Sequence, residues 1–336
     1  MLSVKGLVDS SCLKNVPQKY VCKRNPVEFI SYEEETIPII DLSLLTSGTP
    51  TERSKVIVEL GNACTDWGFF MVINHGVPKK VTDDMINSVE SFFNLSEEEK
   101  QEYAGKEGVN PIKYGTSFNL TVDKAQFWRD YLKILVHPHF ISPHKPAGFS
   151  KVLEEYSRRT RELANELLKG ISESLGLEEN YILKKMEVEE GSQMMVANLY
   201  PPCPQPDVTM GLPPHSDYGL LTLLIQNEYQ GLHVMHKEKW VAIHPLPESF
   251  LINTGDHMEI LTNGKYKSVI HRAVVNQKGT RISIGTAHGP PLETTVSPVP
   301  ELADPPAYLG MKFREYMELQ QTNQLQGKSC LDRIRI

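Results

Sequence analysis

Cysteine is scarce in this 336-residue chain: Cys12, Cys22, Cys64, Cys203 and Cys330 make an odd number with no CxxC spacing. That excludes a disulfide framework or a zinc ribbon as the organising device. Long apolar runs are missing too, so no segment reads as a membrane span. The opening stretch MLSVKGLVDSSCLKN lacks the apolar core of a secretory leader, and a cytoplasmic location is expected. Basic charge is in deficit, with Lys+Arg 35 against Asp+Glu 42 and a net charge of −7. Such a chain has no general affinity for nucleic acid or anionic membrane, and a small-molecule partner is expected. There are no internal repeats or low-complexity tracts, and a monomer is expected.

What is present suffices for a substantial core: 40% hydrophobic and 23% charged residues. Residues 1–36 are polar and poorly periodic, an arm over the body. Residues 37–189 read as a helical region. Helices are expected at 51–64 and 79–94, the second carrying Val81, Met85, Val89 and Phe93 on one face. Ser96-Glu97-Glu98-Glu99 is a capping box, and the longest helix should run from Ser150 to Leu175. From 190 to 295 short β-rich runs alternate with Gly, Pro and Asn turns, as in a sandwich or barrel of antiparallel strands. Asn263-Gly264 reads as a hairpin turn delivering a strand over Tyr266–Val275. Residues 296–336 supply a C-terminal helix and tail.

The chemistry is concentrated in the β region. In a strand, residues i and i+2 share a face, so His215 and Asp217 form a compact two-ligand unit while Ser216 faces away. His271 ends an apolar alternation where an inward-facing residue is expected. Two imidazoles and one carboxylate are the ligand set of a facial metal triad with open positions. No thiolate is near, and the ligands alone leave Fe(II), Mn(II) and catalytic zinc open. Among the other histidines, His137, His139, His144 and His236 are expected in solvent, and His233 is a rival ligand read as a pocket residue. Arg281 and Ser283 again share a strand face, and Asn198 and Tyr200 repeat the spacing elsewhere. A guanidinium fork flanked by hydroxyls matches a carboxylate. A dicarboxylate such as 2-oxoglutarate would chelate the metal with its keto-acid end and meet Arg281, Ser283 and Tyr200 with the other.

With these residues placed, the chain resembles the plant 2-oxoglutarate/Fe(II)-dependent dioxygenases, relatives of flavanone 3-hydroxylase, anthocyanidin synthase, gibberellin oxidases and hyoscyamine 6-hydroxylase. The likeness runs through Ile37–Leu42, Trp67–Val77, Asn198–Pro206, His215–Leu224, Asn253–Asp256, Thr262–Arg272 and Arg281–Ser283. It implies a mixed α/β chain with an all-β core, a distorted double-stranded β-helix of jelly-roll, cupin-like type flanked by N-terminal and C-terminal helices. It implies Fe(II) on His215, Asp217 and His271, and 2-oxoglutarate on Arg281, Ser283 and Tyr200 with Asn198 nearby. O2 is the oxidant, ascorbate the expected activator, and hydroxylation with release of succinate and CO2 the expected outcome.

Substrate contacts are expected from Tyr114, Phe118, Phe127, His233, Ala287, Phe313 and Met317. Ala287 and Gly289 stand where flavonoid-acting relatives often carry Phe and Glu. An apolar substrate of another shape is therefore expected, a terpenoid, phenylpropanoid or alkaloid. Two other classes remain: a 2-oxoglutarate-independent Fe(II) oxidase and a non-catalytic binding protein on the same scaffold. A nucleotide site at Gly327-Lys328-Ser329 is excluded, because Thr322 stands where a P-loop needs glycine.

Overall fold

The computed structural model describes residues 3–10, 13–22, 36–104, 111–117, 126–322 and 329–336. Phe118 lies outside them. The strands that position the site are β1 (Ile39–Asp41), β2 (Phe69–Ile73), β3 (Ile112–Thr116), β4 (Asp130–His137), β5 (Ser192–Tyr200), β6 (Leu212–His215), β7 (Leu221–Gln226), β8 (Leu232–His236), β9 (Lys239–Ile243), β10 (Phe250–Thr254), β11 (His271–Ala273) and β12 (Arg281–Gly289). They form an eight-stranded sheet in the order β1-β2-β10-β7-β12-β5-β4-β3 and a four-stranded sheet in the order β6-β11-β8-β9. This is the double-stranded β-helix architecture, with two facing sheets, helices packed outside, and no closed barrel among the described residues.

The larger sheet is amphipathic only in the sense that its two faces meet different partners. Ile134 and Ile284 share one buried cluster with Leu153, Leu163, Leu167 and Ile171 of the long helix Phe149–Ser174. The other face, with Phe69, Met71, Leu224 and Leu251, meets Leu232, Val234, Val241 and Ile243 of the smaller sheet. Both faces are dry, so β10 is buried at every position. Residues 3–10 and 13–22 close one end, with Val4, Val16 and Tyr20 buried against Trp128, Tyr200 and Val275. The backbone amides of Val4 and Lys5 donate to the buried Asp130 carboxylate at 2.9 and 2.7 Å.

Two expectations need correction. Asn263-Gly264 is not a hairpin turn. It ends the helix Asp256–Leu261, with φ of 53° and 81° and the Gly264 amide donating to the Glu259 carbonyl at 2.8 Å. A left-handed pair ends a helix as readily as it turns a hairpin. Of the strand expected over Tyr266–Val275, only His271–Ala273 is paired. The capping box at Ser96 forms as expected, with the Glu99 amide donating to the Ser96 hydroxyl at 3.2 Å.

Candidate active site

β6 and β11 are antiparallel neighbours that set His215 directly opposite His271, with ring centroids 4.2 Å apart. Asp217 lies just beyond the end of β6. Its Oδ1 is 3.8 Å from His215 Nε2 and 3.6 Å from His271 Nε2. One donor atom from each residue falls within 4.8 Å of the others. The remaining donor atoms are already engaged. His215 Nδ1 is 2.8 Å from the Pro213 carbonyl and His271 Nδ1 is 3.1 Å from the Val269 carbonyl. A backbone carbonyl can only accept, so both Nδ1 atoms carry the proton and both Nε2 lone pairs are left for the metal face. Asp217 Oδ2 accepts from the Asn253 amide at 2.9 Å, which leaves Oδ1 toward the histidines. Burial, seconded by His271, pushes the His215 imidazole down to about 3, against the pull of Asp217. Burial pushes the Asp217 carboxyl up, but His271, His215 and Asn253 outweigh it and hold it below the usual range. A neutral His215 imidazole beside an ionised Asp217 carboxylate gives the protonation states a divalent cation needs from these two ligands.

Behind this cluster stands a support that sequence reasoning missed. The buried Asp256 carboxylate accepts from Ser216 at 3.1 Å, Ser268 at 2.6 Å and Tyr316 at 2.7 Å. The Asp256 amide donates to the Asp217 carbonyl at 2.8 Å. One carboxylate thus ties the H-x-D segment, the approach to His271 and the C-terminal helix together. Asn253 lies three residues before the helix Asp256–Leu261 and Asp256 is its first residue, so only the turn connecting β10 to that helix signals their convergence.

The second polar group lines the larger sheet. Arg281 pairs with Tyr200 and Ser283 with Asn198 across β12 and β5, so all four share a face. The Asn198 amide donates weakly to the Ser283 hydroxyl at 3.5 Å. The Arg281 guanidinium is 1% exposed and its carbon lies 5.2 Å from the Tyr200 ring centre. It donates to Gln226 Oε1 at 2.7 Å, a partner the sequence did not reveal. Burial pulls this guanidinium below the ordinary arginine range, opposed by Tyr200. Arg281 Nε and Asn198 Oδ1 are buried without a partner. A second buried guanidinium, Arg129, also leans on Tyr200 and donates to the Ser117 carbonyl at 2.8 Å.

The other candidate residues divide. Ala287 is on the same face as Arg281 and Ser283, between Met194 and Thr222. Phe313 is buried against His257 and Tyr218, and fills the space beside Gly289, where an added Cβ would lie 2.7 Å from its ring. Met317 is half-buried on the same helix, and Phe127 is buried at the turn before β4. Tyr114 is displaced from the pocket. Its register with Leu132 turns it to the helical face, where it packs on Phe92 and Phe93. His233 is displaced as well. Strand alternation turns it away from His271 and Val234, toward Arg272, whose guanidinium lies 4.1 Å from the Trp240 ring centre. His236 is not in solvent but buried and stacked on Trp67 at 3.8 Å.

Comparison with known proteins decides the family. Residues 191–290 match the 2OG-Fe(II) oxygenase superfamily, and residues 37–156 match the family described as non-haem dioxygenase in morphine synthesis N-terminal. The chain is 45% identical to 2-oxoglutarate-dependent dioxygenase 19 of Oryza sativa subsp. japonica, covering 89% of this chain and 90% of that protein. The chain belongs to the 2OG-Fe(II) oxygenases. Within this superfamily it is also 37% identical to thebaine 6-O-demethylase of Papaver somniferum, over 96% of this chain and 93% of the relative. The crystal structure of JOX2 in complex with 2OG, Fe and JA superposes with a TM-score of 0.89 at 30% identity, covering 100% of this chain and 98% of that one. This 2OG-Fe(II) oxygenase therefore uses iron and 2-oxoglutarate, with O2 as oxidant. None of its described helices is long and apolar enough to cross a membrane.

Proposed function

We propose that His215 Nε2, His271 Nε2 and Asp217 Oδ1 hold Fe(II), and that Arg281, Ser283 and Tyr200, with Asn198 beside them, hold the distal carboxylate of 2-oxoglutarate. The observation that carries this reading is Arg281. A buried cation with an unpartnered Nε, and no ion pair to an acidic side chain among the described residues, costs several kcal/mol unless a ligand supplies the anion. The donor set fits iron for a related reason. Pro213, Val269 and Asn253 have already engaged the far side of every ligand, so three inward lone pairs have no other use.

When bound, iron and 2-oxoglutarate supply an oxidant for an unactivated C–H bond, the co-substrate leaving as succinate and CO2, with ascorbate keeping the metal ferrous. The chain's own residues orient and exclude. Arg281 and Ser283 set the angle at which the co-substrate enters. Phe69, 5.3 Å from His271, and the apolar wall between the sheets keep bulk water from the metal face. Ala287, Phe313, Met317 and Phe127 are proposed to contact the organic substrate. We take that substrate to be a plant specialised metabolite or hormone precursor with an apolar body, hydroxylated by a cytoplasmic monomer.

The test is incubation with Fe(II), ascorbate and 2-oxoglutarate against a plant metabolite extract, with His271→Ala as control. Wild type should form succinate and one or more products gaining an oxygen, and the variant neither. Equal succinate from both proteins sinks the metal assignment. Ala287→Phe should block turnover of the product's precursor; unchanged turnover removes Ala287 from the pocket.

A further inference from the structure

Lys133 on β4 and Lys113 on β3 face each other directly in the antiparallel register. Lys133 also pairs with Val196, which pairs in turn with Gly285. That row lies on the same face as Tyr131, Asn198 and Ser283, the face opposite the helices, with Lys113 exposed at the sheet edge and Lys133 half-buried. Like charges placed directly opposite in a sheet repel, so the pair is a liability unless something offsets it. Other lysines do meet carboxylates, as in Lys79–Asp83, Lys80–Asp84, Lys145–Glu102 and Lys312–Glu293. Neither Lys113 nor Lys133 has an acidic partner among the described residues, although Lys133 is half-buried.

Resting on the site assignment above, we propose that Lys133, assisted by Lys113, binds an anionic group carried by the organic substrate. Lys133 stands one row from Leu135, Met194 and Ala287, and that row runs through Thr222 to Asn253, the Asp217 partner. With strands ~4.8 Å apart and ~3.4 Å per residue, the Lys133 backbone stands four strands and one row, roughly 20 Å, from Asn253, so its ammonium anchors a group at the far end of this face from the metal ligands. Met194, Val196, Leu135 and Ala287 line the intervening face. The substrate is then an apolar frame with a carboxylate, or an equivalent acidic group, at the end remote from the oxidised carbon. The co-substrate is not the occupant, because Arg281 lies four residues further along β12, roughly 13 Å from the lysine row.

The experiment uses the full chain with Fe(II) and 2-oxoglutarate and two fluorescent probes of similar shape, anilinonaphthalene sulfonate and uncharged phenylnaphthylamine. Wild type should prefer the sulfonate, and Lys133→Met should lose that preference by about tenfold while binding the neutral probe unchanged. Lys133→Arg should retain it, and Lys113→Met should lose a smaller part. Equal sulfonate preference in wild type and Lys133→Met overturns the proposal. So does a raised KM for 2-oxoglutarate in Lys133→Met, which would assign the lysine to the co-substrate. Failure of the metal reading shows separately, as absence of the visible charge-transfer band of ferrous iron with 2-oxoglutarate in wild type. The sulfonate preference is read in the same titration whether or not that band appears.

Discussion

The two ends of the site are built on opposite principles. At the metal end each ligand is held by the protein itself: carbonyls fix both histidines, Asn253 fixes Asp217, and Asp256 braces the segments around them. At the carboxylate end the groups are buried but unfinished, with Arg281 Nε and Asn198 Oδ1 unpartnered. A metal site must have its geometry before the ion arrives, because wrong angles waste coordination energy. A carboxylate site can leave its strongest donor unsatisfied, because the incoming anion brings its own charge. The protein thus spends rigidity where geometry matters and leaves electrostatic strain where a co-substrate will relieve it.

The contrast can be broken in graded steps. His271→Ala should abolish ferrous binding and bring succinate formation to background, read by iron titration. Arg281→Gln should leave iron binding intact and raise the 2-oxoglutarate KM by about two to three orders of magnitude, the scale of losing a buried charge partner. If iron affinity fell equally, the two ends would not be separable. Asn253→Ala should weaken iron roughly 10- to 100-fold while leaving the 2-oxoglutarate KM at saturating iron near wild type. Gly289→Ala presses a Cβ to 2.7 Å from the Phe313 ring, and should lower stability by about 1–3 kcal/mol in denaturant melts.

A further effect is one of pH. His257 accepts the Gly219 amide at 3.1 Å and lies edge-on to Phe313 and Tyr316. Burial pushes its imidazole from 6.5 down to about 3. The unfolded chain therefore binds the extra proton across that window. This contribution is complete above 6.5 and is lost as pH falls toward 3, by at most about 1.4 kcal/mol per pH unit. His257→Phe should flatten this slope in denaturation midpoints taken at several pH values, and an unchanged slope would remove His257 as its source.

Much of this was written locally. Period-two spacing alone put His215 with Asp217 and Arg281 with Ser283, because alternation of side chains is a property of a single strand. The helices at Pro50–Asp66, Lys79–Phe93 and Phe149–Ser174 fall within a few residues of the expected spans, since one apolar stripe defines each. β3 and β4 were missed. Gly115 and the charges of Lys113, Asp130 and Lys133 disguise their alternation, and in β4 the buried run Asp130, Tyr131 and Leu132 removes the usual polar side. Tyr114 and His233 were misplaced for a related reason: a single aromatic or histidine does not announce which of two dry faces it enters.

The residue types and their spacing thus settle the chemistry available, namely three metal ligands and a cationic clamp, because those depend on side-chain identity and strand period. Convergence is another matter. That His271 stands opposite His215, that Gln226 meets Arg281, that Asp256 ties Ser216 to Ser268 and Tyr316, and that two lysines share a row with Gly285 all follow from pairings between strands and helices distant in the chain. Such register is set by how two sheets and a helical layer bury their faces together, a constraint no single segment carries.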